Sequence, residues 1–169
     1  MCVCVLQSSI VFLFLFLSFA TGMQLHNSLS KFDVFSLNVR GIRDQIKRRS
    51  VFSFLKDQKA YIYFLQETYS EPNDEKAWKK EWGGEIFFSH GTKHSKGVCI
   101  LINPTAQTQV NYSYSDNSGR ILLITISLSG HKLTFCNIYA PNNQANNCNS
   151  CKSCIIDKTE LTSLIVGGD

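Results

Sequence analysis

Apolar residues along the chain fall into short clustered runs of strand length, interrupted by two stretches with helical spacing. Phe32 to Asn38 (FDVFSLN) is apolar on both faces and predicts a strand covered on both sides. Beyond Gly41, the positions Ile46, Val51, Phe54 and Leu55 recur as one face of a helix over Asp44 to Gln58. Tyr61 to Leu65 (YIYFL) is a second run of β-formers, so the segment predicts a strand-helix-strand unit with parallel neighbours. A polar loop and a short helix, Asp74 to Trp82, come next. Strands are then predicted at Ile86 to Ser89, Val98 to Ile102, Gln109 to Tyr114, Ile121 to Leu128 and Leu133 to Tyr139. Pro104, Asp116-Asn117-Ser118-Gly119 and Ser129-Gly130 supply turns between them, and the region reads as one antiparallel meander. A helix around Asp157 to Ser163 and a strand Leu164 to Val166 lead into Gly167-Gly168-Asp169. Helices among the early strands, with a meander after, imply an α/β or α+β layered domain.

Composition adds little to that picture. The 169 residues, 44% apolar and 18% charged, are those of one ordinary globular domain, and a formal charge of +4 permits a polyanionic partner without requiring one. Positive charge gathers at Lys47, Arg48 and Arg49, and again at Lys93 and Lys96. The first cluster suits either a phosphate-facing surface or a solvated helix face.

The leader changes the picture more. Ile10 to Ala20 is an apolar run interrupted only by Ser18, shorter than the roughly 20 residues a membrane span needs, so no stable span is expected. Its length suits a signal-peptide core, and Ser18-Phe19-Ala20 resembles a cleavage site, yet no Lys or Arg precedes it. Met23 offers the other reading, with residues 1–22 as translated upstream sequence. Under either reading, residues 1–22 should stand apart as a helix that packs on nothing. The seven cysteines fit no disulfide framework, since Cys2 and Cys4 lie in the leader and an odd number remains. Cys99 and Cys136 sit in apolar runs, as buried thiols do. Cys148, Cys151 and Cys154 recur at every third position, but a closed zinc site needs four ligands and no second pair follows.

Several polar residues share one placement, the C-terminal end of an apolar strand: Asn38, Glu67, Asn137, Tyr139 and Asp169. Ligand-handling groups collect at such ends, although an isolated Asn or Asp there is more often a turn former and a Glu a solvated cap.

Taken together, SLNVRG (Ser36 to Gly41), LQET (Leu65 to Thr68), KGVCILI (Lys96 to Ile102), NIYAPN (Asn137 to Asn142) and LIVGGD (Leu164 to Asp169) resemble the endonuclease/exonuclease/phosphatase superfamily, in its order and approximate spacing. Their wording is closest to the endonucleases of LINE-type (non-LTR) retrotransposons, and the resemblance covers residues 32–169. It implies a four-layer α/β sandwich, two sheets face to face with helices outside and the active site at one edge. It also implies a metal-dependent phosphodiesterase acting on DNA with Mg²⁺ or Mn²⁺. By resemblance, Asn38 and Glu67 belong to the metal and phosphate site, with Glu67 as metal ligand. Tyr139 directs its hydroxyl to the scissile phosphate and Asp169 prepares the attacking water, while Asn137 stands behind them. Lys96 and Arg120 would meet the nucleic-acid backbone.

Relatives carry further motifs after the Gly-Asp pair, ending in a Ser-Asp-His segment. The chain is therefore expected to hold the front part of the domain, catalytically incomplete by itself. Other readings stay open: a non-catalytic, pseudogene-like remnant, an abasic-site repair nuclease, or a secreted lipid phosphodiesterase. The family points to the nucleus or cytoplasm, and the leader to secretion.

Overall fold

The computed structural model describes residues 2–6, 11–15, 32–128, 130–140 and 163–168. In chain order the elements are β1 (Cys2–Leu6), β2 (Val11–Leu15), β3 (Phe32–Asn38), α1 (Gln45–Gln58), β4 (Ile62–Gln66), a 3₁₀ turn (Pro72–Asp74), α2 (Glu75–Trp82), β5 (Ile86–Ser89), β6 (Val98–Ile102), β7 (Gln109–Ser115), β8 (Ile121–Leu128), β9 (His131–Ile138) and β10 (Ser163–Gly168). They form two five-stranded mixed sheets, in the orders β1-β10-β9-β8-β7 and β2-β3-β4-β6-β5. The strand-helix-strand unit has the parallel pairing expected of it, with Val34 opposite Ile62 and Asn38 opposite Gln66.

The sheets pack face to face because their strands carry apolar residues on both sides. Val34, Ile62, Phe64, Val98, Ile100 and Ile102 of one sheet meet Leu122, Ile124, Ile126, Leu133, Phe135 and Ile165 of the other. The outer face of the first sheet (Phe35, Tyr63, Leu65, Ile86, Cys99, Leu101) lies under α1 and α2, which contribute Phe52, Leu55, Trp78 and Trp82. Phe52, Tyr63 and Trp82 meet edge to face, with centroids 5.5 and 5.3 Å from Trp82, and the Trp82 indole N–H donates to the Ile102 carbonyl at 2.7 Å. The result is the α/β sandwich expected, with three of its layers built by the described residues.

Three expectations need correction. The strands from Ile86 to Tyr139 are not one meander: β5 and β6 join β3 and β4, while β7, β8 and β9 form the meander in the other sheet. Asn103 and Pro104 follow β6 where the chain crosses over, a change of sheet that strand periodicity does not encode. On α1 the inward stripe is Arg48, Phe52 and Leu55, and Ile46 is 78% exposed in the first turn. The leader is not a detached helix. β1 runs parallel to β10 and β2 antiparallel to β3, so two runs rich in Val, Phe and Cys extend sheet edges whose backbone groups need partners. The helix expected at Asp157 to Ser163 and the triplet Cys148, Cys151, Cys154 lie outside the described residues, apart from Ser163, which opens β10. Cys99 and Cys136 are buried, as their apolar setting suggested.

Candidate active site

Parallel pairing of β3 and β4 brings Asn38 and Glu67 to one edge, because Asn38 ends β3 opposite Gln66 and Glu67 follows directly. The pairing continues beyond the strands: Val39 N–H donates to the Gln66 carbonyl at 2.9 Å, Gly41 to Glu67 at 2.6 Å and Ile42 to Thr68 at 3.1 Å. The main chain turns left-handed at Glu67 (φ 52°) and again at Tyr69 (φ 58°). Asn38 and Tyr69 thereby meet the same carboxylate, that of Glu67. Asn38 Nδ2 donates to Glu67 Oε1 at 3.1 Å, and the Tyr69 hydroxyl donates to Oε2 at 3.2 Å. Asn38 is itself oriented, since its Oδ1 accepts from the Arg40 N–H at 3.1 Å. Burial, and then the adjacent Glu67 carboxylate, push the Tyr69 phenol above its ordinary value, so it stays a proton donor at neutral pH.

The second sheet arrives at this edge through Asn137. Fully buried near the end of β9, its Nδ2 donates to the Leu65 carbonyl at 3.0 Å and to that of Cys99 at 2.8 Å, and its Oδ1 accepts from Gln66 Nε2 at 2.7 Å. Asn137 therefore ties β9 across the sandwich to β4 and β6, and Tyr139 follows the end of β9 two residues on. β10 ends with Gly168 opposite Ile138, and Gly167 lies so close to the Phe64 ring that an added Cβ would sit 2.8 Å from Cε2. Asp169, the expected water-orienting residue, lies outside the described residues.

Lys96 and Arg120 belong to loops laced into the same edge. The Lys96 carbonyl accepts from Tyr69 N–H at 2.9 Å, Gly97 N–H donates to Gly119 at 2.9 Å, and the Arg120 carbonyl accepts from Tyr139 N–H at 2.8 Å. Asp116 anchors the last of these loops, its Oδ1 accepting from Ser89 Oγ at 2.6 Å and from the N–H groups of Arg120 and Ile121 at 3.0 and 2.9 Å.

The structure also divides the basic cluster. Arg48 is buried and holds both Glu81 oxygens, at 2.7 and 3.0 Å, so its role is structural. Arg43 pairs with Glu71 at 2.9 Å and Asp74 at 3.3 Å, and Arg49 reaches Glu81 at 3.8 Å. Lys47 Nζ donates to the Arg40 carbonyl at 2.9 Å, beside the Asn38 turn.

Sequence reasoning missed Tyr69 and the polar line behind it. Thr68 and Ser70 are buried, with Thr68 Oγ1 donating to Ser70 Oγ at 3.2 Å. His90 then bridges Ser70 at 3.1 Å and Glu75 at 3.0 Å. The unbroken polar stretch after LQE was the available signal, but nothing in its spacing says that those hydroxyls turn inward. Among the described residues no group of three or more His, Cys, Asp or Glu side chains is placed to hold a metal, and no helix is long and apolar enough to cross a membrane.

Comparisons with known proteins agree with this geometry. A protein of transposon TX1 from Xenopus laevis, described as uncharacterized and of 149 kDa, is 34% identical over 139 residues, which is 79% of this chain and 10% of that protein. The structure of D. rerio TDP2 complexed with single strand DNA product superposes with a TM-score of 0.62 at 20% identity, over 83% of this chain and 60% of that one. The endonuclease domain of TRAS1, a telomere-specific non-LTR retrotransposon, gives 0.58 at 17% identity, over 82% of this chain and 58% of that one. The chain thus spans about a tenth of its curated relative and about three-fifths of these solved structures. Residues 35–150 match the model of the endonuclease/exonuclease/phosphatase family, and with the two-sheet sandwich and the strand-end cluster in place, the chain belongs to that family.

Proposed function

We propose that this chain carries the front part of a retrotransposon-derived, metal-dependent DNA endonuclease, with Glu67 at the centre of its active site. The observation that carries the reading is the Glu67 carboxylate, oriented by Asn38 and Tyr69 at an edge where both sheets end. One carboxylate with amide and hydroxyl neighbours suits Mg²⁺ or Mn²⁺, which take few protein oxygens and leave the remaining positions to water and phosphate. Glu67 would hold the ion, with Asn38 beside it. When bound, such an ion offsets the charge that builds on the phosphate oxygens and the leaving oxygen.

The chain's own groups take further roles. Asn38 and Tyr69 fix the direction of the Glu67 carboxylate, Tyr139 donates a hydrogen bond to a non-bridging phosphate oxygen, and Asp169 accepts the proton of the attacking water. Lys96 and Arg120 take backbone phosphates on either side. DNA as substrate is supported by the transposon relative and by the retrotransposon endonuclease domain with the same fold.

Nicking of supercoiled plasmid tests the proposal. Expected is no nicking by the chain alone and, once a family-like C-terminal half is added in frame, Mg²⁺-dependent nicking that is abolished by EDTA and reduced ~10²-fold or more in Glu67→Gln, the scale on which a group serving the transition state acts. Equal nicking by the two proteins would refute the role of Glu67. A second reading, favoured by the share of its relatives' length that the chain spans, is a nucleic-acid-binding remnant that does not cut. DNA binding with no Glu67-dependent nicking would identify it.

A further inference from the structure

Arg40 is the second residue after Asn38, and its backbone is pinned on both sides. Its N–H donates to Asn38 Oδ1 at 3.1 Å and its carbonyl accepts from Lys47 Nζ at 2.9 Å. The pinning holds it in the left-handed region (φ 46°) directly before Gly41 (φ 77°), a conformation that favours glycine over a side chain as large as arginine. The main chain is fixed, yet the side chain is exposed. Arg43, Arg48 and Arg49 each meet an acidic side chain, whereas the Arg40 guanidinium meets none among the described residues. Its main chain joins the site through Asn38, whose Oδ1 accepts from the Arg40 N–H and whose Nδ2 donates to Glu67 at 3.1 Å.

We propose that Arg40 is the phosphate anchor of the site, its guanidinium gripping a backbone phosphate of a nucleic-acid strand laid across the turn between β3 and α1. The proposal rests on the nuclease reading above and names a residue that reading does not use. A carboxylate in the site repels an incoming polyanion, and a cation beside it offsets that repulsion. The planar guanidinium is the side chain suited to a phosphate, since it can offer two parallel N–H donors. An arginine already paired with Glu or Asp would have to give up that partner first. Among the described residues, Arg40 has no such partner to lose.

The test is binding of a fluorescein-labelled DNA duplex to the full chain, followed by anisotropy across a salt series in EDTA, so that no turnover enters the readout. Loss of one phosphate contact lowers the slope of log affinity against log salt by about 1. Arg40→Gln is expected to bind several-fold more weakly with that loss of slope. Arg40→Lys should keep the slope and lose affinity, because the charge remains and the paired donors do not. Arg40→Gly relieves the left-handed backbone, so it should keep the far-ultraviolet spectrum of the parent and bind as Arg40→Gln does, which separates lost contact from lost fold. Arg49→Gln, on the exposed face of α1, should leave the slope unchanged. A parent-like slope in both Arg40→Gln and Arg40→Gly, with the parent binding DNA, overturns the assignment and leaves the nuclease reading standing. Failure of the parent to bind DNA at low salt overturns both.

Discussion

Replacing Asn137 by leucine should separate the two sheets energetically while conserving side-chain volume. In the native chain this amide spends its full donor pair and one acceptor on three bonds: to the carbonyls of Leu65 and Cys99, at 3.0 and 2.8 Å, and from Gln66 at 2.7 Å. All of them lie in the dry interior between β9 and the β4-β6 pair, where no water can replace the lost partner. Three bonds at a net of roughly 1 kcal/mol each, plus the penalty for leaving the Gln66 donor unpaired, give a loss of about 3–5 kcal/mol. A domain of this size has roughly 5–15 kcal/mol in all, so the variant should sit near the edge of stability. Urea unfolding followed by circular dichroism reads the shift in midpoint, and Gln66→Leu with the double variant completes a cycle. Because Gln66 also donates to Ser36 Oγ at 3.2 Å, the single Gln66 variant should be destabilised as well, and the double variant should fall short of the sum. A loss below 1 kcal/mol for Asn137→Leu, or strict additivity with Gln66→Leu, would refute the view that this amide is the tie between the sheets.

Other consequences can be measured on the same protein. Arg48→Leu leaves Glu81 without its bidentate partner in a half-buried setting and should destabilise by about 3 kcal/mol, with the salt dependence of DNA binding unchanged. The Asp116 carboxyl is raised by burial, but hydrogen bonds from Ser118, Ser89 and the Ile121 and Arg120 N–H groups outweigh this and hold it below its ordinary value. A depressed carboxyl stabilises the fold above its unfolded value and loses that contribution as pH falls through the folded one, so Asp116→Asn should be less stable at neutral pH and show a flatter acid limb below about pH 4. Burial pushes the Cys99 thiol up to about 12, so peptide mapping after native alkylation at mildly alkaline pH should find it unmodified, and modification there at the rate of the unfolded chain would contradict its place in the core.

Strand positions were legible because burial on both faces leaves uninterrupted apolar runs, as YIYFL and VCILI do. Asn38, Glu67, Asn137 and Tyr139 were legible as strand ends, and the structure ties Asn38 to Glu67 and Asn137 to the strand before it. Which sheet a strand joins was not, since β6 (VCILI) and the start of β8 (ILLI) are both uninterrupted apolar runs, and nothing in either run names its sheet. Tyr69 escaped because a left-handed turn, not strand alternation, aims it at Glu67. Arg48 escaped for the opposite reason. A basic triplet looks solvated until the helix register turns its middle member inward onto Glu81, which no local pattern announces.

Trp78 and Trp82 account for both tryptophans of the chain, and both are buried in the layer that α1 and α2 make with the first sheet. Intrinsic fluorescence is consequently a one-sided reporter. It records the helix-covered layer and is nearly blind to the β7-β8-β9 meander, which holds tyrosines but no indole. Circular dichroism weighs both sheets, so an intermediate in which the meander has come away while the helical layer persists would appear as ellipticity lost ahead of the tryptophan signal, and the gap between the curves would measure how cooperatively the sandwich holds together.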